Sequence, residues 1–139
     1  MKTKELLGYS TVRSFGGYAL PVPIQTQLLR TYCSDKNYIY KLSTVESYIK
    51  NNYMFLNTLI EEAPNQGDIG MCSVFMLPQK NKFEDMQKKI ETKCLNFHFI
   101  FENSVVNYSD LWNFYMNSRL RFIQDNESYK IEDLIKSME

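Results

Sequence analysis

"DIGMCSVFML", residues 68–77, is apolar at nearly every position. A strand with one face in water alternates apolar and polar side chains, whereas a strand covered on both faces has no such alternation. The stretch therefore predicts a central strand of a parallel sheet, with helices packed above and below. Upstream, Pro64-Asn65-Gln66-Gly67 is a turn signal, and before it Ile49, Tyr53, Leu56 and Ile60 recur at helical spacing. Downstream, Phe83, Met86 and Ile90 repeat the helical pattern, with Asn81 and Glu84 spaced as a capping box in front. Leu95 to Phe101, LNFHFIF, then predicts a fourth strand with aromatic residues on one face.

The first half of the chain has the same rhythm. Leu6 to Val12 reads as strand one. Ile24, Leu28, Leu29, Tyr32 and Cys33 mark a helix with Pro23 in its first turn. Tyr38 to Leu42 reads as strand two, and Ser43-Thr44-Val45-Glu46 spells a capping box at the entrance of the next helix. Ser109 is placed to cap a later helix carrying Trp112, Tyr115 and Phe122, and Ile131, Leu134 and Ile135 form a short amphipathic close. Strands alternating with helices imply right-handed crossovers. The expected fold is a small three-layer α/β sandwich over 1–139, with a mostly parallel four-stranded sheet of flavodoxin-like or resolvase-like type. A C-terminal helical segment covers about 108–139.

Bulk properties narrow the function classes. At 139 residues the chain fits one domain, and roughly two thirds of its unfolded surface is buried on folding. Lys+Arg and Asp+Glu both number 16, for a net charge of zero. That leaves no overall basic field to hold nucleic acid nonspecifically. No apolar run approaches the length of a membrane helix, and MKTKELLGY is too short in its apolar part for a signal peptide. A cytoplasmic protein without a membrane partner is expected. Three separated cysteines, Cys33, Cys72 and Cys94, and a single histidine give neither a disulfide framework nor a zinc motif, so buried thiols and no metal or cofactor are expected.

In parallel sheets ligands bind beyond the carboxyl ends of the strands, near the point where strand order reverses. Arg13 with Gly16 and Gly17 follows strand one, Ser43 follows strand two, Ser73 lies late in strand three, and Glu102 follows strand four. The glycine loop matches neither standard phosphate-loop pattern, but its backbone N–H groups and Arg13 suit an anion. Arg13, Gly16, Gly17, Gln25 and Ser43 are the candidate substrate-binding groups. Glu46, Ser73, His98 and Glu102 are the candidate catalytic groups. Glu46 and Ser43 are explained by helix capping without any chemistry, and His98 lies mid-strand, where a satisfied structural imidazole is the simpler reading. Apolar groups on more than one stripe of 109–123 (Trp112, Phe114, Tyr115, Phe122, Ile123) suggest a homodimer surface or a docking face for a partner enzyme.

GYSTVRSF from Gly8, PVPIQTQLLRTYC from Pro21, LSTVES, MCSVFMLP and HFIFEN resemble the sporadic carbohydrate cluster proteins, a bacterial family of surface-polysaccharide and lipopolysaccharide gene clusters. That resemblance implies a sugar phosphate or nucleotide sugar as ligand, and assigns no reaction. A fainter likeness is to the catalytic domain of serine recombinases, in the Tyr-led first strand and the Gln-rich first helix. There the family's serine falls on Arg13 and its arginines on Thr11 and within Val74 to Gln79, so the likeness implies a shared fold without the shared chemistry. A nucleic-acid binder derived from that fold is the remaining alternative.

Overall fold

The computed structural model describes residues 4–12, 15, 19–46 and 53–125, with only the backbone at 42–46 and 122–125. Strand β1 (Lys4–Thr11) leads to helix α1 (Val22–Lys36), β2 (Tyr38–Glu46) and α2 (Met54–Glu62). Then come β3 (Asp68–Met71), a 3-10 turn (Val74–Met76), α3 (Lys80–Lys93), β4 (Asn96–Phe99), β5 (Ser104–Asn107) and α4 (Leu111–Asp125). The sheet order is β2-β1-β3-β4-β5. The first four strands are parallel and β5 runs antiparallel to β4. Strand order reverses between β1 and β3, as the sequence reading requires of a sheet with a switch point.

Period-two alternation sorts the strands between two helical layers. Leu7, Tyr9, Ile69, Met71, Phe97 and Phe99 join one buried cluster with Leu56 and Ile60 of α2, Phe83, Met86 and Ile90 of α3, and Tyr115 of α4. The opposite face carries Leu6 and the side of α1 that buries Gln25, Leu29 and Cys33, spaced at every fourth residue. On this face the Leu6 side chain lies over Gly70, which has no side chain of its own. A Cβ there would stand 2.6 Å from Leu6 Cδ2.

Several local expectations are corrected. The sheet has five strands, not four: after β4 the chain turns at Ile100–Asn103, with Asn103 at φ 48° donating its N–H to Ile100 O, and returns as β5. The Ser43–Glu46 segment is strand and not a helix entrance. β2 continues because Tyr9, Ser10 and Thr11 of β1 pair with Thr44, Val45 and Glu46, and a register shift opposite Gly8 absorbs the extra residue. The central strand ends at Met71, since Ser73 accepts the N–H of Phe75 and starts the 3-10 turn. α3 starts at Lys80 after Gln79 with no side-chain cap, so Asn81 and Glu84 lie inside the helix. α4 is headed by Asn107, whose Oδ1 accepts from the N–H groups of Ser109 and Asp110, rather than by Ser109 itself.

Much of the apolar surplus of α4 goes into the core. Trp112 stacks on Phe83 at 5.6 Å between ring centroids, and Phe114 lies parallel to Phe99 at 5.5 Å. Leu120 stays partly exposed. The Phe122 and Ile123 side chains, and the Ile49 and Ile131–Ile135 readings, lie outside the described residues. No helix among the described residues is long and apolar enough to cross a membrane.

α2 and α3 are joined at their ends by one cation. Lys93 Nζ donates to the carbonyls of Ile60, Glu61 and Ala63, the last acceptors of α2. These carbonyls have no partner inside their own helix, and a cation is favoured at that end of the helix dipole. Lys93→Met, which keeps the stem and removes the donors, is expected to lower the unfolding free energy by about 1–3 kcal/mol. Urea denaturation measures the difference, and an unchanged midpoint would show the carbonyls are equally well solvated.

Candidate functional site

At the carboxyl end of β1 the backbone of Thr11 is gripped by a side chain. Gln25 Oε1 accepts from Thr11 N at 3.1 Å, and Gln25 Nε2 donates to Thr11 O and Leu20 O at 2.7 Å each. The Gln25 side chain is fully buried. Both of its amide protons are engaged, so it fastens the end of β1 to the first turn of α1 instead of facing a ligand. Gln25 O in turn lies 4.0 Å from Cys72 Sγ, just beyond β3. The ends of β1, α1 and β3 thus meet at one rim.

Glu102, in the turn after β4, reaches this same rim. Its Oε2 accepts from Ser73 Oγ at 2.9 Å and its Oε1 from Val74 N at 2.6 Å. Ser73 is 2 % exposed, while Glu102 is only half-buried. Burial pushes the Glu102 carboxyl above its ordinary range, and the bonds from Val74 and Ser73 hold it down only in part. A partly accessible carboxylate with a raised pKa is suited to taking or giving a proton, or to accepting hydroxyl protons from a ligand. Cys72 beside it is no nucleophile near neutral pH. Burial and then the Glu102 charge push its thiol to about 12.

The other sequence candidates take different positions. Arg13, Gly16 and Gly17 lie outside the described residues. Glu46 pairs through its backbone with Thr11 at the end of β2, on the carboxyl side of the sheet, and Ser43 falls at the register shift three residues earlier. His98 turns to the α1 face, where it is 1 % exposed. Its Nε2 lies 2.8 Å from Asp68 Oδ1 and its Nδ1 2.6 Å from Tyr32 Oη. Tyr32 and Tyr38 meet its ring edge-on at 5.6 and 5.0 Å. Both ring nitrogens are occupied, as the structural reading of this histidine expects. Sequence reasoning missed Asp68 and Tyr32 as its partners. The only available hint was a carboxylate opening an otherwise apolar strand.

Among the described residues no group of three or more His, Cys, Asp or Glu is placed to hold a metal ion. A cavity of about 150 Å³ opens toward the amino ends of the strands, bounded by Glu5, Leu7, Lys41, Leu59, Glu62, Pro64 and Asp68. It lies toward the opposite end of the strands from the Ser73–Glu102 pair.

No family model matches this chain, so the resemblance to sporadic carbohydrate cluster proteins gains no support from that comparison. No curated protein matches it either. Among solved structures, the chain is similar to the N-terminal catalytic domain of TP901-1 integrase, with a TM-score of 0.54 at 13% identity. The match covers 90% of this chain and 100% of that one. At such identity the likeness is one of fold, and it agrees with the resolvase-like arrangement expected from the sequence.

Two measurements test this local chemistry. The folded chain binds a proton at Glu102 more tightly than the unfolded chain does, because its folded value lies above the ordinary 4.5. Its contribution to stability is therefore greatest at low pH and declines as pH rises from about 4.5 through the raised value. Wild type is expected to lose stability relative to Glu102→Gln across that interval, measured by urea titration at a series of pH values. A constant difference would mean the carboxyl is not perturbed. Separately, Asp68→Ala strands a buried His98 nitrogen and is expected to cost about 1–3 kcal/mol. Tyr32→Phe, which removes a hydroxyl at a less buried end, is expected to cost less. The reverse order in denaturation experiments would contradict the geometry described.

Proposed function

We propose that the carboxyl rim of the sheet, at the reversal of strand order between β1 and β3, is the ligand site of this protein. Its ligand is a phosphorylated, nucleotide-linked or acidic sugar used in surface-carbohydrate biosynthesis. The observation that carries this reading is the meeting of Ser73 and Glu102, from segments 29 residues apart, beside the clamped end of β1. Together they bring a half-buried carboxylate to the end of the sheet where ligands of parallel sheets bind. Glu102 accepts sugar hydroxyl protons through the lone pairs left after Ser73 and Val74, and Ser73 holds the carboxylate in place. Arg13 and the Gly16–Gly17 loop, which follow β1 in sequence, supply the positive charge and N–H groups for the phosphate. The segment resemblance to sporadic carbohydrate cluster proteins is what favours a sugar over other anions.

If chemistry takes place here, the raised pKa of Glu102 suits it to remove a proton next to an anion-bound centre, as in isomerisation or elimination. Thermal-shift measurements with sugar phosphates and nucleotide sugars test the reading, because a ligand of the native state raises its stability by mass action. Stabilisation by at least one of these compounds is expected, and its loss in Arg13→Ala and Glu102→Ala. No stabilisation by any of them would remove the proposal.

The likeness to an integrase domain favours a second reading, a nucleic-acid binder on the same fold. Equal numbers of basic and acidic residues weigh against it. Duplex DNA binding at low ionic strength, weakening steeply as salt is added, would establish that reading in place of the first.

A further inference from the structure

The two edges of the sheet are built differently. β5 is four residues long, with the left-handed turn residue Asn103 just before it and Asn107, which heads α4, at its end. An edge that short offers little to an incoming strand. β2 is nine residues long, YIYKLSTVE, without glycine or proline, and among the described residues it pairs only with β1. Its outer N–H and C=O groups are therefore an open ladder, the template that a further strand uses. Ile39 near its start is 51% exposed. It shares a face with Lys41 and with its register partner Glu5, whose side chains are also exposed.

The chain itself carries a match for this edge. Two copies related by a two-fold axis normal to the sheet pair antiparallel, with one residue of β2 opposite its own counterpart. Lys41 on that axis would set two ammonium groups directly opposite each other, which is unfavourable. Tyr38 or Ile39 on the axis would run the pairing into Asn37, whose φ of 61° leaves the strand. Leu42 and later residues fall at or beyond the register shift opposite Gly8, where the ladder is irregular. Tyr40 avoids all three faults. With Tyr40 on the axis, Ile39 faces Lys41 of the second copy, and the row across the junction reads Glu5, Ile39, then Lys41 and Leu7 of the second copy. The lysine stem covers the exposed isoleucine, and its ammonium points toward a carboxylate one strand further in. Within a single chain Lys41 Nζ and Glu5 Oε2 are paired only loosely, at 3.8 Å in water.

We infer that β2 is the contact between two copies of this chain, paired antiparallel about Tyr40 into one continuous sheet. A two-fold contact uses the same edge on both copies and so closes as a dimer. The inference does not depend on which ligand the carboxyl rim takes.

Light scattering coupled to size-exclusion chromatography of the full chain, across a wide concentration range, is expected to show a dimer. Ile39→Lys sets a lysine opposite Lys41 of the second copy and is expected to weaken the dimer by about tenfold or more. Ile39→Val keeps the apolar contact and is expected to leave it unchanged. Tyr40→Cys places a thiol opposite its own counterpart, at the Cα separation of about 4.5–5.5 Å that an antiparallel pair gives and a disulfide spans. Mild oxidation is expected to link that variant well above the background set by Cys33, Cys72 and Cys94 in wild type. Val105→Cys, on the β5 edge, is expected to stay at the background. Circular dichroism confirms that each variant folds. A monomer at every concentration overturns the inference. So does a dimer that Ile39→Lys leaves intact, or one that links through Val105→Cys and not through Tyr40→Cys.

Discussion

The carboxyl rim depends on one buried amide. Gln25 imitates a strand neighbour: its side chain offers an acceptor to Thr11 N and a donor to Thr11 O, the pair of groups a further strand would offer. A second donor holds Leu20 O, so the same side chain also fixes where the chain re-enters before α1. An amide withdrawn from water without partners is costly, but here it meets backbone groups that themselves need partners, and each group satisfies the other. The end of β1, the start of α1 and, through Cys72, the exit of β3 are thereby held in one place. Phe101, which donates to Cys72 O, and Glu102, which follows it, inherit their position from that arrangement.

A second polar assembly does comparable work on the α1 face. Asp68, His98 and Tyr32 come from β3, β4 and α1, so their hydrogen bonds join two strands and a helix across a layer boundary. Tyr38 adds an edge-on ring from the start of β2. Apolar packing alone would let α1 slide along this face. Directional bonds to a ring with two distinct nitrogens allow one docking position, provided that every buried group has a partner. The chain's only histidine thus ties two strands to a helix, while Glu102 lies at the strand ends.

The fold was legible wherever periodicity was long and unambiguous. The helical repeat Phe83–Met86–Ile90 and the aromatic alternation around Phe97 and Phe99 became the expected elements, and the apolar run from Asp68 became a central strand that is shorter than expected, ending at Met71. What escaped was short or competed with a plausible local motif. β5 is four residues long, with only Val106 turned inward, and so offers little to count. Ser43 to Glu46 satisfies a capping pattern, yet β-branched Thr44 and Val45 follow the ladder that β1 provides. Gln25 looked like a ligand group because it is polar, but it shares the buried stripe of α1 with Leu29 and Cys33. For the site, the rule that ligands gather beyond strand ends pointed to Ser73 and Glu102 separately. Their mutual hydrogen bond, like that of Asp68 with His98, spans about thirty residues and leaves no trace in local spacing.

The order β2-β1-β3 places the earliest strand in the interior of the sheet. During synthesis its first edge finds β2 soon after Glu46 emerges from the ribosome, but its second edge must wait for Asp68 to Met71. Until then Leu6, Leu7 and Tyr9 belong to a ribbon with one open side and uncovered apolar side chains, the kind of species that aggregates or recruits chaperones. Arrival of β3 closes that side by bringing Gly70 against Leu6, a seat that admits no larger side chain without displacement. The seating of Leu6 over Gly70 is thus part of what covers the second edge of β1.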